Sequence, residues 1–136
     1  MMIEKNIIAS GKRKTSIAKA TIKKGSGKIL INKMPYENLD FFKTLIIKEP
    51  IEIAKEILGK LDFDIFCNVK GGGSESQIQA VKLAIARAIV KFTNSDKLKQ
   101  TYTKYDKSLL VADTRRKEAY KPGDSKARRK RQKSFR

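Results

Sequence analysis

Hydrophobic positions alternate with period two in several short stretches, and that alternation predicts strands. Across residues 16–23, Ala18, Ala20 and Ile22 alternate with Lys19, Thr21 and Lys23. One face is apolar and the other is wet and cationic. Across residues 62–69, Phe63, Ile65, Cys67 and Val69 share one face, while Asp62, Asp64, Phe66 and Asn68 share the other. This pattern predicts a half-buried strand that turns Cys67 toward a core. Residues 3–9 and 28–31 are rich in β-formers and predict two more strands. Between them, Ser10-Gly11-Lys12-Arg13-Lys14 reads as a basic turn and Lys24-Gly25-Ser26-Gly27 as a hairpin turn.

Elsewhere the apolar period lengthens to that of a helix. Leu39, Phe42, Leu45 and Ile46 recur at helical spacing until Glu49-Pro50, where proline disfavours the α region for the residue before it. Pro50 then suits the first position of a second helix, ended at Gly59. The strongest helical pattern follows Gly71-Gly72-Gly73. Ile78, Val81, Ile85, Ala88 and Phe92 form its stripe, with Ser74 as N-cap and Gln77 completing a capping box. Lys82, Arg87 and Lys91 fall off the stripe. Ser95 caps a last short helix with Leu98 and Tyr102, and residues 108–111 read as a final strand or anchor. Strands, helices, a strand and helices in that order predict an α+β fold: a small mixed sheet with helices packed on one face.

Charge then divides the chain in two. Of the net +18, the last 22 residues hold +9, with eleven Lys and Arg against two acids. No Leu, Ile, Val or Met occurs after Val111. Such a segment buries too little apolar surface to offset its ordering entropy, so it is expected to order only when a polyanion neutralises it. The division expected is a globular core over 1–112 and an extended basic tail over 113–136, with Lys121-Pro122-Gly123-Asp124 as a turn within the tail.

Composition narrows the chemistry. One cysteine rules out an internal disulfide, and the lack of histidine rules out a Cys/His zinc site. No apolar run approaches the roughly 18 residues of a membrane helix, and the start shows no signal-peptide core. The chain reads as soluble, intracellular and basic, with no cofactor, metal or membrane partner expected. Cys67 reads as a small buried hydrophobe, since no histidine is present to activate its thiol. Asp62 and Asp64 point to one face of a strand, where a carboxylate pair could hold a magnesium ion for nuclease chemistry, but nothing near them reads as a base or a third carboxylate, so a wet strand face is the better reading. No catalytic set is found, and no enzymatic activity is expected.

The cationic features point to phosphate. Lys12, Arg13 and Lys14 sit beside Gly11, and Lys19 and Lys23 line the wet strand face. Gly71, Gly72 and Gly73 read either as a tight strand-to-helix turn or as a close approach to an anion; no Gly-Lys-Ser/Thr follows, so this is no Walker loop. In the tail, Arg128, Arg129, Lys130 and Arg131 form a dense cluster, and Phe135 is available to stack on a base. Composition alone also allows a free-standing basic nucleic-acid-binding module.

The order of short motifs is more specific. Residues 11–18 (Gly-Lys-Arg-Lys-Thr-Ser-Ile-Ala) and 25–32 (Gly-Ser-Gly-Lys-Ile-Leu-Ile-Asn) are followed by Val69-Lys70-Gly71-Gly72-Gly73, Gln77 and residues 84–90. Asp113, Arg115 and Arg116 come next, and the chain ends Lys130-Arg131-Gln132-Lys133-Ser134-Phe135-Arg136. This succession resembles the universal small-subunit ribosomal protein S-nine family, archaeal branch. Thr114 stands where that family usually has proline, Ser76 where it has glycine, and Lys82 where it has arginine.

The resemblance implies a left-handed β-α-β crossover within the α+β fold. It implies a structural constituent of the small ribosomal subunit, docked in the head on the 3′ major domain of the rRNA. The neighbours implied are the small-subunit proteins S-ten and S-fourteen, with S-seven a further one. Residues implied to meet rRNA are Lys12, Arg13, Lys14, Lys19, Lys23, Lys70, the glycines 71–73, Arg87, Arg115, Arg116, Lys117, Lys126 and the cluster at 128–131. Lys133, Ser134, Phe135 and Arg136 would approach peptidyl-site tRNA.

Overall fold

The computed structural model describes residues 6–115. Five strands form one mixed sheet. Strands β1 (Ile7–Arg13) and β2 (Ser16–Lys24) make an antiparallel hairpin that turns at Lys14 and Thr15. The expected basic turn at residues 10–14 is therefore mostly strand. Strands β3 (Ile29–Ile31) and β4 (Met34–Pro35) make a second, small hairpin. Its two turn residues, Asn32 and Lys33, both have positive φ (49° and 68°), as strand twist requires of a two-residue loop.

Strand β5 (Phe63–Lys70) enters between the hairpins, antiparallel to β2 and parallel to β3, giving the order β1-β2-β5-β3-β4. Residues 24–27 are thus not a hairpin turn, because the strands on either side are not neighbours. Central placement buries Phe63, Ile65, Cys67 and Val69, the most apolar strand face in the chain. The turn is closed instead by Asp64, whose Oδ1 accepts from the backbone N–H groups of Ser26, Gly27 and Lys28 at 2.9–3.0 Å.

Parallel β3 and β5 are joined through helix α1 (Phe41–Leu58), forming a β-α-β unit. The helix continues through Pro50, against the expectation of a break. An interior proline costs about 3 kcal/mol. Here Ile47, Pro50, Ile51 and Ala54 form one buried stripe across it, and each buried isoleucine contributes roughly 1.5–3 kcal/mol. Tyr102 adds a hydrogen bond from its hydroxyl to the Pro50 carbonyl, 2.6 Å long. The expected stripe is only half met: Leu39 and Ile46 pack partly buried against the core, while Phe42 and Leu45 are exposed. Gly59 ends the helix at φ 75°, as anticipated.

Helix α2 (Ser74–Thr93) lies on the sheet and buries Ile78, Val81, Ile85 and Ala88 as the pattern predicts. Gly73, rather than Ser74, is its N-cap; Gln77 does not complete a capping box but donates to the Gly71 carbonyl at 3.0 Å. Small residues face each other where helix meets sheet. A Cβ on Gly11 would lie 2.3 Å from the Ala80 carbonyl oxygen and 2.7 Å from the Ala84 nitrogen. Gly11 is therefore a packing residue in mid-strand, not a flexible loop hinge. Helix α3 (Asp96–Tyr105) is capped by Ser95, whose Oγ accepts from Leu98 N–H, and it buries Leu98 and Tyr102. A 3-10 turn, Lys107–Leu109, replaces the expected final strand, and buried Leu109 is the anchor.

Candidate nucleic-acid interface

Among the described residues, helices cover one face of the sheet and leave the other open. Strand register fixes which side chains meet there, since directly opposite residues share a face. Ile17 lies between Lys12 and Lys70; Lys19 lies between Ser10 and Asn68; Thr21 lies between Ile8 and Phe66. Lys12, Lys19 and Lys70 thus gather at one end of the open face, and all three are exposed. Lys23 stands at the other end, with its ammonium 4.9 Å from the centre of the Phe66 ring. Lys14 occupies the β1–β2 turn beside the cationic end, at φ 53°. Four of the five lysines or arginines that the sequence reading gave to phosphate near the N-terminus therefore mark the open face or its rim.

The fifth, Arg13, has an internal duty. Its Nε donates to Gln79 Oε1 at 2.8 Å, and a terminal nitrogen lies 2.7 Å from Asp113 Oδ2. Arg87 behaves similarly, donating to the carbonyls of Leu110 at 3.0 Å and Ser10 at 2.9 Å. Together they fasten residues 110–113 to β1 and α2. Arg115 is exposed and bonds Asp113 through both carboxylate oxygens. That guanidinium, helped by the Arg115 backbone N–H, holds the Asp113 carboxyl well below the usual carboxylate range. Arg116, Lys117, Lys126, Arg128, Arg129, Lys130, Arg131 and the tip Lys133, Ser134, Phe135 and Arg136 lie outside the described residues.

The glycine triplet resolves into distinct positions. Gly71 and Gly72 have φ of 81° and 65° and press on the Thr15–Ser16 turn: a Cβ at either would strike Thr15 or Ser16. Buried Ser16 donates its hydroxyl to the Gly71 carbonyl at 2.9 Å. Gly71 approaches the chain's own backbone at Thr15, and Gly72 the Ser16 side chain, as a tight turn requires. Gly73 faces open space at the start of α2.

The Asp64 carboxylate, on β5, has a structural explanation. The three backbone N–H groups on Asp64, Lys28 foremost, lower its carboxyl below the ordinary value. Asp62 is exposed, and its carbonyl accepts from Gly25. Among the described residues no group of three or more His, Cys, Asp or Glu is placed to hold a metal ion. Burial pushes the Cys67 thiol up to about 12, so it stays protonated at neutral pH. Among the described residues no helix is long and apolar enough to cross a membrane.

Two residues that sequence reasoning left without a role stand beside the lysines. Asn68 is exposed on β5, and Asn32 sits in the β3–β4 turn with its Oδ1 accepting from Val69 N–H at 2.9 Å. Period-two counting places Asn68 on the wet face; nothing in the linear pattern brings Asn32 next to it.

A family signature described as Ribosomal protein S9/S16 matches residues 11–136. The chain belongs to this family. Its relatives named Small ribosomal subunit protein uS9 include that of Methanococcus vannielii, 46% identical over 129 residues, covering 93% of this chain and 95% of the relative. That of Desulfurococcus amylolyticus is 44% identical over 133 residues, covering 97% and 94%. That of Methanothrix thermoacetophila is 43% identical over 133 residues, covering 97% and 99%. Membership in the S9 family makes this a small-subunit ribosomal protein of archaeal type, an rRNA-binding part of the cytoplasmic translation machinery. The S9 family is structural and in general not enzymatic.

Proposed function

We infer that this S9-family chain docks in the head of the small subunit through the open face of its sheet. Its basic tail then carries positive charge toward peptidyl-site tRNA. The observation that supports this most is the gathering of exposed Lys12, Lys19 and Lys70 on the sheet face that no described helix covers. These lysines, with Lys14 and Lys23, contact phosphates of the 3′ major domain. Gly73, at the open start of α2, lies within reach of the same backbone. The chain performs no catalysis; it positions RNA. Arg13 and Arg87 act at one remove, by fixing the segment from which the tail departs. From Arg115 through Arg131 the tail neutralises phosphates where rRNA helices crowd, and Lys133–Arg136 meets the tRNA. Small-subunit proteins S-ten and S-fourteen, with S-seven, are the protein neighbours.

Sucrose-gradient sedimentation of lysate, probed for this chain, tests the placement. The chain is expected in the small-subunit peak; a chain found mainly free, or with large subunits, refutes it. Deleting residues 133–136 is expected to leave that sedimentation intact and to weaken tRNA retention at the peptidyl site. Loss of assembly from so short a deletion would show that the tip has another role.

A further inference from the structure

At its cationic end the open face sinks into a basin of about 590 Å³, a size in the roughly 300–1,000 Å³ range of small-ligand sites. Lys19 and Lys70 stand on its walls with Asn68 and Asn32, and Ile17, Thr15 and Gly71 complete the described lining. Among the described residues no carboxylate lines it.

Three features distinguish the basin from a plain cationic surface. First, Asn32 is held in place. Its backbone N–H donates to the Cys67 carbonyl at 2.8 Å, and its Oδ1 accepts from Val69 N–H. With that oxygen engaged, the Nδ2 hydrogens remain to be donated to a ligand. Second, the Asn68 side chain has no hydrogen-bond partner among the described residues, so its amide offers both a donor and an acceptor. Third, Ile17 is 44% exposed beside Lys70, an apolar surface that none of the described residues covers.

A paired RNA helix presents mainly phosphate and sugar to a protein face, and lysines alone answer that. Two amides and an exposed isoleucine match a different chemistry: a base out of its stack, with an apolar face and a hydrogen-bonding edge. We propose that the basin holds one unstacked nucleotide of RNA. Lys19 and Lys70 take its phosphate, Ile17 lies under the base, and Asn32 and Asn68 bond the base edge. This rests on the RNA-docking reading above and adds a site to it.

The test uses small subunits carrying the full chain. Ultraviolet crosslinking followed by peptide mass spectrometry is expected to find one unpaired rRNA nucleotide attached to the peptide with Ile17 or the peptide with Asn68. Asn68→Ala, which removes an exposed side chain with no partner in the fold, lowers the yield of that adduct about tenfold, the effect of losing one or two hydrogen bonds to the base. The same variant makes the 2′-hydroxyl of that nucleotide more reactive to acylation. If the chain sediments with subunits but crosslinks only elsewhere, or if Asn68→Ala changes neither readout, the nucleotide site is overturned and the docking reading stands. If the chain is absent from subunits, both fall. Titrating the free full chain with uridine monophosphate separates the sources of the ligand. Saturable binding at Asn68 without any rRNA adduct assigns the basin to a free nucleotide and overturns the RNA assignment.

Discussion

Gly11→Ala separates two views of the Gly-Lys-Arg-Lys segment. If Gly11 were a loop hinge, alanine would restrict the unfolded chain and stabilise the fold by about 0.4–1 kcal/mol. In the structure the added Cβ lies 2.3 Å from the Ala80 carbonyl oxygen, about 1 Å short of the roughly 3.3 Å at which carbon and carbonyl oxygen meet. The obstructing atoms are helix backbone, so no rotamer change relieves them. Strand β1 and helix α2 must part, and the contact they form buries Ala9, Ala80 and Ala84. Overpacking of this kind costs about 1–3 kcal/mol, and the rigid backbone on both sides places this case at about 3 kcal/mol. For a body of this size that corresponds to a fall in Tm of roughly 10 °C. Thermal unfolding followed by far-ultraviolet circular dichroism measures it, with urea titration as a second probe. Gly73→Ala is the control: nothing lies within 4 Å of its Cβ, and its φ is −89°, so a change within about 0.5 kcal/mol is expected. A Gly11→Ala chain that melts at or above the wild-type temperature would refute the packing argument.

Two further outcomes follow from charge. Asp64→Ala removes the acceptor of three backbone N–H groups and is expected to lower Tm at pH 7. Because folding lowers the Asp64 pKa, its contribution is complete above the unfolded value of about 3.9 and is lost as pH falls through the folded value. The Tm gap between wild type and Asp64→Ala should therefore close below about pH 4; a gap that widens in acid contradicts the turn-closing role. Removing residues 116–136 should flatten the salt dependence of binding to single-stranded RNA. Six lost phosphate contacts correspond to about four units of log–log slope, measurable by filter binding across a salt series. An unchanged slope would show that the tail neutralises no phosphate.

Local patterns specified much of this molecule without help. Period two marked β2 and β5 and correctly divided their faces, because side-chain alternation is a property of the extended backbone itself. Helical spacing found α2 and α3, and Ser95 and Gly59 marked helix ends through chemistry confined to a few residues. The motif order from Gly11 onward identified the family, since it depends only on which residues follow which.

Decisions involving partners far along the chain were not legible in that way. Whether β3 pairs with β2 or admits β5 between them depends on which strand most needs both edges covered. Pro50 sits in a continuous helix because burial of Ile47 and Ile51 outweighs a local preference. Arg13 and Arg87 look like any other cations in the sequence, and only folding brings Asp113, Leu110 and Ser10 to them. Asn32 and Asn68 are 36 positions apart and line one basin because parallel strands set them side by side. The linear chain thus determined most of its elements, its charge and its kinship, all of which are sums over neighbours. Tertiary packing decided which cations the fold engages internally and where the basin forms, because those depend on distances that close only when the sheet forms.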